Sequence, residues 1–419
     1  MKAAALSKRG IGFALVIVLV AINLRAFLTA SSPLLGEIRG DTGLGFQAAA
    51  LLTVLPMFAM GPMSLAGVGL GRRIGERAAM VLGLGAIALA CASRWVTAST
   101  AGLLASAALA GFGAGLVQAL MPTIIKRAYP VGMGAAMGLY SAALMGGGGL
   151  GAMGSPWIAR WAADWHAGLA FWALPALVAI VAWALVGRAA PAPVQQASAP
   201  ADRGWLKCFA NRRAWLLAIY FGLLNGGYTS LVAWLPPSFA QQGWTPQAAG
   251  ALLALMTAAQ MVGALALPVL ARGRRELRPW LVAMLVVQLA GFAGLMLQVS
   301  PAPVVVALLG FGLGGGFSLA MVLALDHLPD PAQAGTLAAF MQCFGFMISA
   351  LAPFATGWVR ATSGGFGGAW AWLGAVVLLL IVMTWRFDPR RHARATCGLF
   401  GTAPATGSDA SGYIGMRPG

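Results

Sequence analysis

The chain is poor in charge, and poorest in acidic charge. Its 419 residues include 10 Asp and Glu and 27 Lys and Arg, so 9% are charged, against about 25% in an ordinary soluble domain. Because 60% of the residues are hydrophobic, too few polar side chains remain to cover the surface of a water-soluble protein. The 4 Cys and 3 His are scattered, which argues against a disulfide framework or a zinc site. We expect no metal and no cofactor.

Long apolar runs recur along the chain. A helix needs roughly 20 apolar residues to cross a hydrocarbon core of about 30 Å, and twelve runs meet this requirement. The sequence therefore predicts an all-α integral membrane protein with twelve transmembrane helices. The first run follows Lys8 and Arg9, but it is too long for a signal peptide, so we expect an uncleaved helix. The predicted spans are residues 11–36, 46–70, 77–94, 99–125, 131–158, 168–187, 214–239, 246–271, 279–298, 302–326, 333–359 and 367–386.

The basic residues indicate how the chain is oriented. Its net charge of +17 comes from short clusters between the apolar runs and forms no continuous face, so we expect no nucleic-acid partner. With the amino terminus inside, 22 Lys and Arg lie on the inner side and 4 on the outer side. Basic loops stay in the cytoplasm, so both termini are predicted to be cytoplasmic, in a bacterial cytoplasmic (inner) membrane.

The chain divides into two similar halves. The sequence Gln47-Ala-Ala-Ala-Leu-Leu opens the second span and Gln247-Ala-Ala-Gly-Ala-Leu-Leu opens the eighth, about 200 residues later. Basic glycine-containing segments then follow both spans, as expected from a duplication. The predicted domains are an amino-terminal six-helix bundle (1–188), a flexible cytoplasmic linker (189–213), a carboxyl-terminal six-helix bundle (214–387) and a disordered cytoplasmic tail (388–419).

Arg25 lies deep in the first span. Glu37 is twelve residues further on, which is about 18 Å along a helix. An arginine at the centre of a span costs about 2.5 to 3.5 kcal/mol on insertion scales, and the sequence offers no acidic partner at that depth. Backbone carbonyls, hydroxyls and water could satisfy the guanidinium. We favour the other interpretation, a cationic site that binds an anionic or strongly polar solute.

Further polar residues in the spans could line the same cavity. Thr29 and Ser32 share a helical face with Arg25, while amide, hydroxyl and indole groups occur in spans four, seven, eight and eleven. Each could instead form hydrogen bonds between helices. Asp326, beside His327 near the inner end of span ten, is a candidate for gating or proton handling. The predicted substrate-binding residues are Arg25, Thr29, Ser32, Gln118, Asn225, Tyr228, Trp234, Gln260 and Gln342.

Several motifs resemble a known transporter family. The segments are Asn23-Leu-Arg25, Pro122-Thr-Ile-Ile-Lys-Arg-Ala-Tyr-Pro130, Gly138-Leu-Tyr-Ser141, Trp234-Leu-Pro-Pro237 and Gln342-Cys-Phe-Gly-Phe-Met-Ile-Ser-Ala-Leu-Ala-Pro353. They are similar to the cyanate and 2-nitroimidazole transporter branch (CynX/NimT) of the major facilitator superfamily. The resemblance implies two pseudo-symmetric six-helix bundles, a central site and alternating access.

The resemblance also implies gating residues and shows departures. The loop motif after span two survives as Arg73, Gly75 and Arg77, with Arg72 where an Asp is usual. Arg73 and Arg77 are therefore predicted gating residues. Where the branch commonly has Pro, Asn and Tyr, this chain has Ala26, Gln118 and Phe346.

These features predict a transporter and not an enzyme. It would move a small anionic or polar organic solute, cyanate-like or nitroimidazole-like, as a monomer in the bilayer by secondary active or facilitated transport. No mid-span carboxylate supports proton coupling through a buried acid. Facilitated diffusion, exchange and coupling through Asp326 remain open, as does the direction of transport. The alternative is a multidrug exporter, in which the 15 Trp, 19 Phe and 19 Met would form an adaptable wall.

Overall fold

The structure is a computed structural model that describes residues 8–97, 99–129, 133–186, 204–271, 274, 276–328 and 331–391. Its described residues form fifteen α-helices and a final 3₁₀ turn at Pro389–Arg391. The helices are α1 (Lys8–Thr29), α2 (Leu35–Thr42), α3 (Phe46–Ile74), α4 (Glu76–Ser93), α5 (Thr100–Ala128), α6 (Met133–Ala162), α7 (Trp165–Ala170), α8 (Ala173–Val186), α9 (Gly204–Phe209), α10 (Arg212–Ala240), α11 (Pro246–Leu270), α12 (Arg278–Met296), α13 (Ala302–Leu325), α14 (Pro331–Ser363) and α15 (Phe366–Thr384).

Each predicted span overlaps a helix, although the sixth covers the end of α7 and the whole of α8, and the predicted all-α membrane fold is confirmed. Within the described residues, eleven helical segments are long and apolar enough to cross a membrane. The predicted fifth span, α6, is 30 residues long but is absent from those eleven, because its many glycines lower its mean hydropathy. Those glycines serve helix packing.

The first predicted span is too long. Helix α1 ends at Thr29, seven residues before the predicted end at 36. Pro33 lacks an N–H group, and its ring would clash with the carbonyl of Thr29 in a continuous helix. The separate helix α2 follows and buries Leu35 and Ile38.

The predicted linker and tail lie partly outside the described residues. Of the linker 189–213, residues 189–203 are not described, whereas Gly204–Phe209 form α9 and Arg212 and Arg213 begin α10. The flexibility of the linker stays a prediction. Asn211 begins α10 by accepting hydrogen bonds from the N–H groups of Arg213 and Ala214, as an N-cap residue does. Of the predicted tail, residues 392–419 are not described.

The two halves meet along two helix pairs, α3 with α14 and α6 with α11. Glycines allow backbones to approach closely there. A Cβ atom at Gly61 would lie 2.8 Å from the Cys343 carbonyl oxygen, and one at Gly250 would lie 2.3 Å from the Ala152 carbonyl oxygen. Both distances are too short for a side chain.

Helix α6 also packs tightly against α1, within the amino-terminal half. A Cβ atom at Gly147 would lie 2.1 Å from the Ile22 carbonyl oxygen, and one at Gly151 would lie 2.3 Å from that of Ala26. This Gly-x-x-x-Gly spacing is typical of close helix pairs in membranes. The crossing fixes the stretch of α1 that carries Arg25 against α6.

Candidate functional site

Arg25 is a buried arginine at the contact between the two halves. Its side chain extends from α1 and the residue is 6% exposed. The guanidinium carbon lies 5.0 Å from the centroid of the Tyr228 ring on α10, which is within the range of a cation–π interaction. A charge from the amino-terminal half therefore rests on an aromatic ring of the carboxyl-terminal half.

The cation–π contact leaves part of the Arg25 guanidinium unsatisfied. Stacking uses the face of the planar group, whereas its N–H bonds point outward in the plane. The Nε atom of Arg25 is buried and has no hydrogen-bond partner among the described residues. Leaving such a donor unpaired costs roughly 1 to 3 kcal/mol, and more for a charged group. The edge of the guanidinium is thus available to an acceptor from outside the protein.

Tyr140 on α6 has the same unusual feature. Its hydroxyl oxygen is buried without a hydrogen-bond partner in the described chain, and it lies within electrostatic range of Arg25. The sequence analysis included Tyr140 only as part of a motif and not among the binding residues. A tyrosine in an apolar run is most often a packing residue, so its sequence position carried no signal of this placement.

The hydroxyls of Thr29 and Ser32 form hydrogen bonds between helices. Thr29 Oγ1 donates to the Gly148 carbonyl of α6 at 2.6 Å, and Ser32 Oγ donates to the Ala233 carbonyl of α10 at 3.1 Å. Both protons are used for helix packing in this conformation. Ser32 also lines a small cleft beyond the end of α1, together with Ala233 and Trp234. Their contact with a solute stays a prediction.

The predicted residues of α10 are placed differently from one another. Tyr228 is in the site, but Asn225 donates through Nδ2 to the Phe221 carbonyl of its own helix at 2.9 Å. Trp234 is fully buried and donates through Nε1 to the Pro353 carbonyl of α14 at 2.8 Å. Asn225 and Trp234 thus have structural partners in the observed arrangement.

Three predicted glutamines form no side-chain hydrogen bond with other described residues. Gln260 on α11 is 7% exposed, while Gln118 on α5 and Gln342 on α14 are half-buried. In the described part of the chain, none of these amides is hydrogen-bonded to Arg25. They remain predicted contacts of the solute.

The predicted gating residues lie away from Arg25. Arg73 and Asp326 are exposed, and the exposed Arg77 donates to the Ala184 carbonyl at the end of α8, at 2.5 Å. His327, the neighbour of Asp326, is buried and accepts through Nε2 from Arg213 Nε at 3.1 Å. Since its Nδ1 lies 2.6 Å from the Leu323 carbonyl, the ring is held as the neutral tautomer with its proton on Nδ1. Both ring nitrogens of His327 thus have structural partners in this conformation, and gating or proton handling by Asp326 stays a prediction.

Arg94, at the end of the predicted span 77–94, is a second buried arginine that the sequence analysis did not single out. It is 3% exposed and donates from Nε to Ser106 Oγ at 3.0 Å and from a terminal nitrogen to the Phe27 carbonyl at 3.4 Å. Phe27 is in the last turn of α1, where carbonyls lack partners within the helix. Arg94 therefore caps the helix that carries Arg25, and its cation also complements the helix dipole.

Comparisons with known proteins agree with this arrangement. Residues 13–353 match the sequence profile of the Major Facilitator Superfamily. The chain is 44% identical over 379 residues to the cyanate transport protein CynX of Escherichia coli (strain K12), covering 90% of this chain and 97% of that protein. It is 25% identical over 352 residues to the 2-nitroimidazole transporter of the same strain, covering 83% and 88% of the two chains.

A solved structure supports the fold. The D-xylose-proton symporter superposes with a TM-score of 0.70 at 16% identity, covering 90% of this chain and 98% of the symporter. The all-helical architecture, the match to the family over most of the chain and the relation to the cyanate transport protein lead to one conclusion. The chain belongs to the Major Facilitator Superfamily and is a multi-pass membrane protein that acts as a secondary transporter of small solutes.

Proposed function

We propose that the solute is a small anion and that Arg25 is its principal contact. The observation that supports this is the buried Arg25 Nε, which has no partner among the described residues although the guanidinium carries a full charge. An anion would supply both the missing acceptor and the missing countercharge. Tyr228 would hold the guanidinium in one plane while the anion binds its edge.

Each described acidic side chain either contacts a residue other than Arg25 or is exposed. Glu76 pairs with Arg127 and Glu276 with Arg278, while Asp41 accepts from the Trp165 indole. Asp164 contacts His166, Asp388 accepts from the Arg390 N–H, and Glu37 and Asp326 are exposed. The charge on Arg25 therefore has no protein carboxylate as its counterpart within the described chain, which favours a mobile anion in that role.

The relatives suggest which anion to test first. The protein that is 44% identical to this chain is named a cyanate transport protein, and cyanate is a small linear anion with acceptor atoms at both ends. A planar nitro compound, as in the name of the more distant relative, could lie against the Tyr228 ring but would bring no full charge. We therefore place cyanate and anions of its size before neutral nitroimidazoles.

Transport would proceed by rocking the two halves about the site. The pairs α3 with α14 and α6 with α11 would open and close as the halves tilt. We place the protein in a bacterial cytoplasmic membrane, and we take it to act as a monomer. Both termini would lie inside, because 22 Lys and Arg fall on the predicted inner side and 4 on the predicted outer side. An alkaline phosphatase fusion to the carboxyl terminus should be inactive, and an active fusion would refute this orientation.

The test of the proposed function is uptake of labelled cyanate into proteoliposomes. We expect Arg25→Ala to abolish uptake by folded protein, and Arg25→Lys to restore only part of it, because Lys keeps the charge but loses the planar donor fork. The matched control is Arg160→Ala, which removes an exposed arginine at the end of α6 and should leave uptake within about twofold.

Two outcomes would contradict the proposal. The first is cyanate uptake by folded Arg25→Ala protein at the wild-type rate. The second is a broad rise in resistance to unrelated lipophilic toxins on expression of the protein, without anion uptake, which would favour the multidrug exporter.

A further inference from the structure

We propose that the Tyr140 hydroxyl is a second hydrogen-bond donor to the same anion and sets the affinity of the site. This inference rests on the proposed function and goes beyond it, because it assigns a binding role to a residue of α6. The site would then take its donors from two helices of the amino-terminal half and its aromatic surface from the other half.

The crossing of α1 and α6 brings Tyr140 toward the Arg25 guanidinium. The two helices run parallel, since Ile22 meets Gly147 and Ala26 meets Gly151. Arg25 Cβ would lie 3.6 Å from a Cβ atom at Gly148, and Tyr140 precedes Gly148 by eight residues, about 12 Å along the helix. Long side chains on a helix point toward its amino terminus. The Arg25 side chain thus covers part of this distance, and its guanidinium lies within electrostatic range of the Tyr140 hydroxyl.

Both groups are unsatisfied donors in an apolar setting. The Tyr140 hydroxyl and Arg25 Nε are each buried without a partner among the described residues, and Ala136 and Leu144, one turn away from Tyr140 on α6, are buried hydrophobic residues. Buried polar groups are almost always hydrogen-bonded. One species with several lone pairs would satisfy both donors at once.

The combination of Arg25 and Tyr140 would also make the site selective for anions. A protonated phenol can donate and a guanidinium can only donate, so the two groups would present donors to the solute beside a positive charge. A cation would be repelled, and a neutral molecule would forgo the charge-assisted part of the interaction. A small anion rich in lone pairs and without protons of its own is the solute class that fits best.

The test is the KM of cyanate uptake by Tyr140→Phe protein, which loses only the hydroxyl. We expect KM to rise about tenfold, as for the loss of a hydrogen bond to a charged group, with the maximal rate per folded molecule within about twofold. The matched control is Tyr220→Phe. The Tyr220 hydroxyl is bonded to Thr384 Oγ1 at 3.0 Å in the packing of α10 against α15, so its loss should leave KM unchanged.

A purely structural role for Tyr140 gives a different pattern. It would lower the yield of folded protein or the maximal rate and leave KM unchanged, and that result would overturn the inference. If little Tyr140→Phe protein folds, the folded fraction is tested by the rise in Tm that cyanate causes. The quantity compared is the cyanate concentration that gives half of the maximal rise. A value equal to that of the wild type overturns the inference, and a higher value supports it. A wild-type KM in Tyr140→Phe together with loss of uptake in Arg25→Ala would refute only this inference. Lack of anion uptake by the wild type would refute the proposed function as well.

Discussion

Two buried arginines, Arg25 and Arg94, behave differently inside the same helix bundle. Neither is paired with a carboxylate in the described chain. Arg94 donates to Ser106 and to the Phe27 carbonyl, and so its hydrogen bonds are made within the protein. The Arg25 guanidinium lies over the Tyr228 ring, and its buried Nε has no hydrogen-bond partner among the described residues. The first arrangement stabilises a helix end, and the second suits a ligand that comes and goes.

The capping role of Arg94 predicts a loss of stability without a loss of affinity. Arg94→Ala should reduce the free energy of unfolding by about 1 to 3 kcal/mol, because the Phe27 carbonyl and the Ser106 hydroxyl would lose a charged partner. Thermal denaturation of the purified protein measures this loss of stability. The stability of Arg94→Lys should lie between that of the wild type and that of Arg94→Ala. A variant that is as stable as the wild type, or one with normal stability and a raised KM for cyanate, would refute the role.

The sequence predicted these residues unequally, for a physical reason. The depth of Arg25 follows from its position within one apolar run, which is local information. The partner of Arg94 lies 67 residues away and that of the Thr29 hydroxyl lies 119 residues away, so both depend on how helices cross. Arg94 is also at the end of an apolar run, where an arginine is normally in water. The hydroxyl of Tyr140 could not be distinguished from a packing group.

At the scale of helices, the crossing of α1 and α6 is the feature on which the site depends. It fixes the position of Arg25 relative to Tyr140 along the helix axes, and it relies on glycines that allow the two backbones to come into contact. Gly147 faces the Ile22 carbonyl, whereas its neighbour Gly146 has no atom within 4 Å of the position of a Cβ. The two adjacent glycines therefore provide a matched pair for testing the crossing.

Gly147→Ala should impair the protein, and Gly146→Ala should not. An added Cβ at position 147 would lie 2.1 Å from backbone, so α1 would have to move, and we expect a loss of about 1 to 3 kcal/mol in stability, as in other overpacked sites. Thermal denaturation and cyanate uptake of the two variants measure the difference. Equal behaviour of the two variants would show that the helices are not in contact as described.

The positions of the helices were largely predictable, but their interruptions were not. Runs of apolar residues and the charges between them indicated where most spans begin and end, to within several residues. The break between α1 and α2 was missed, although Pro33 signalled it. The short helix α9 was missed because it contains no long apolar run and is flanked by polar residues in the sequence.

At the scale of the whole molecule, the site exists because two similar halves meet. Arg25 belongs to the first half and Tyr228 to the second, and their contact depends on the pairing of α3 with α14 and α6 with α11. Neither half alone would provide both the charge and the aromatic surface. A tilt of the halves would separate the two groups and so expose the solute to one side of the membrane, which links binding to alternating access.

The most direct test of the central claim is a crystal structure of the protein with selenocyanate, a cyanate analogue whose selenium can be located by anomalous scattering. We predict one selenium peak between α1 and α10, within hydrogen-bonding distance of the Arg25 guanidinium and beside the Tyr228 ring, and no such peak in folded Arg25→Ala protein. A peak in the same place in the Arg25→Ala variant, or a wild-type structure in which selenocyanate binds only elsewhere, would contradict the account.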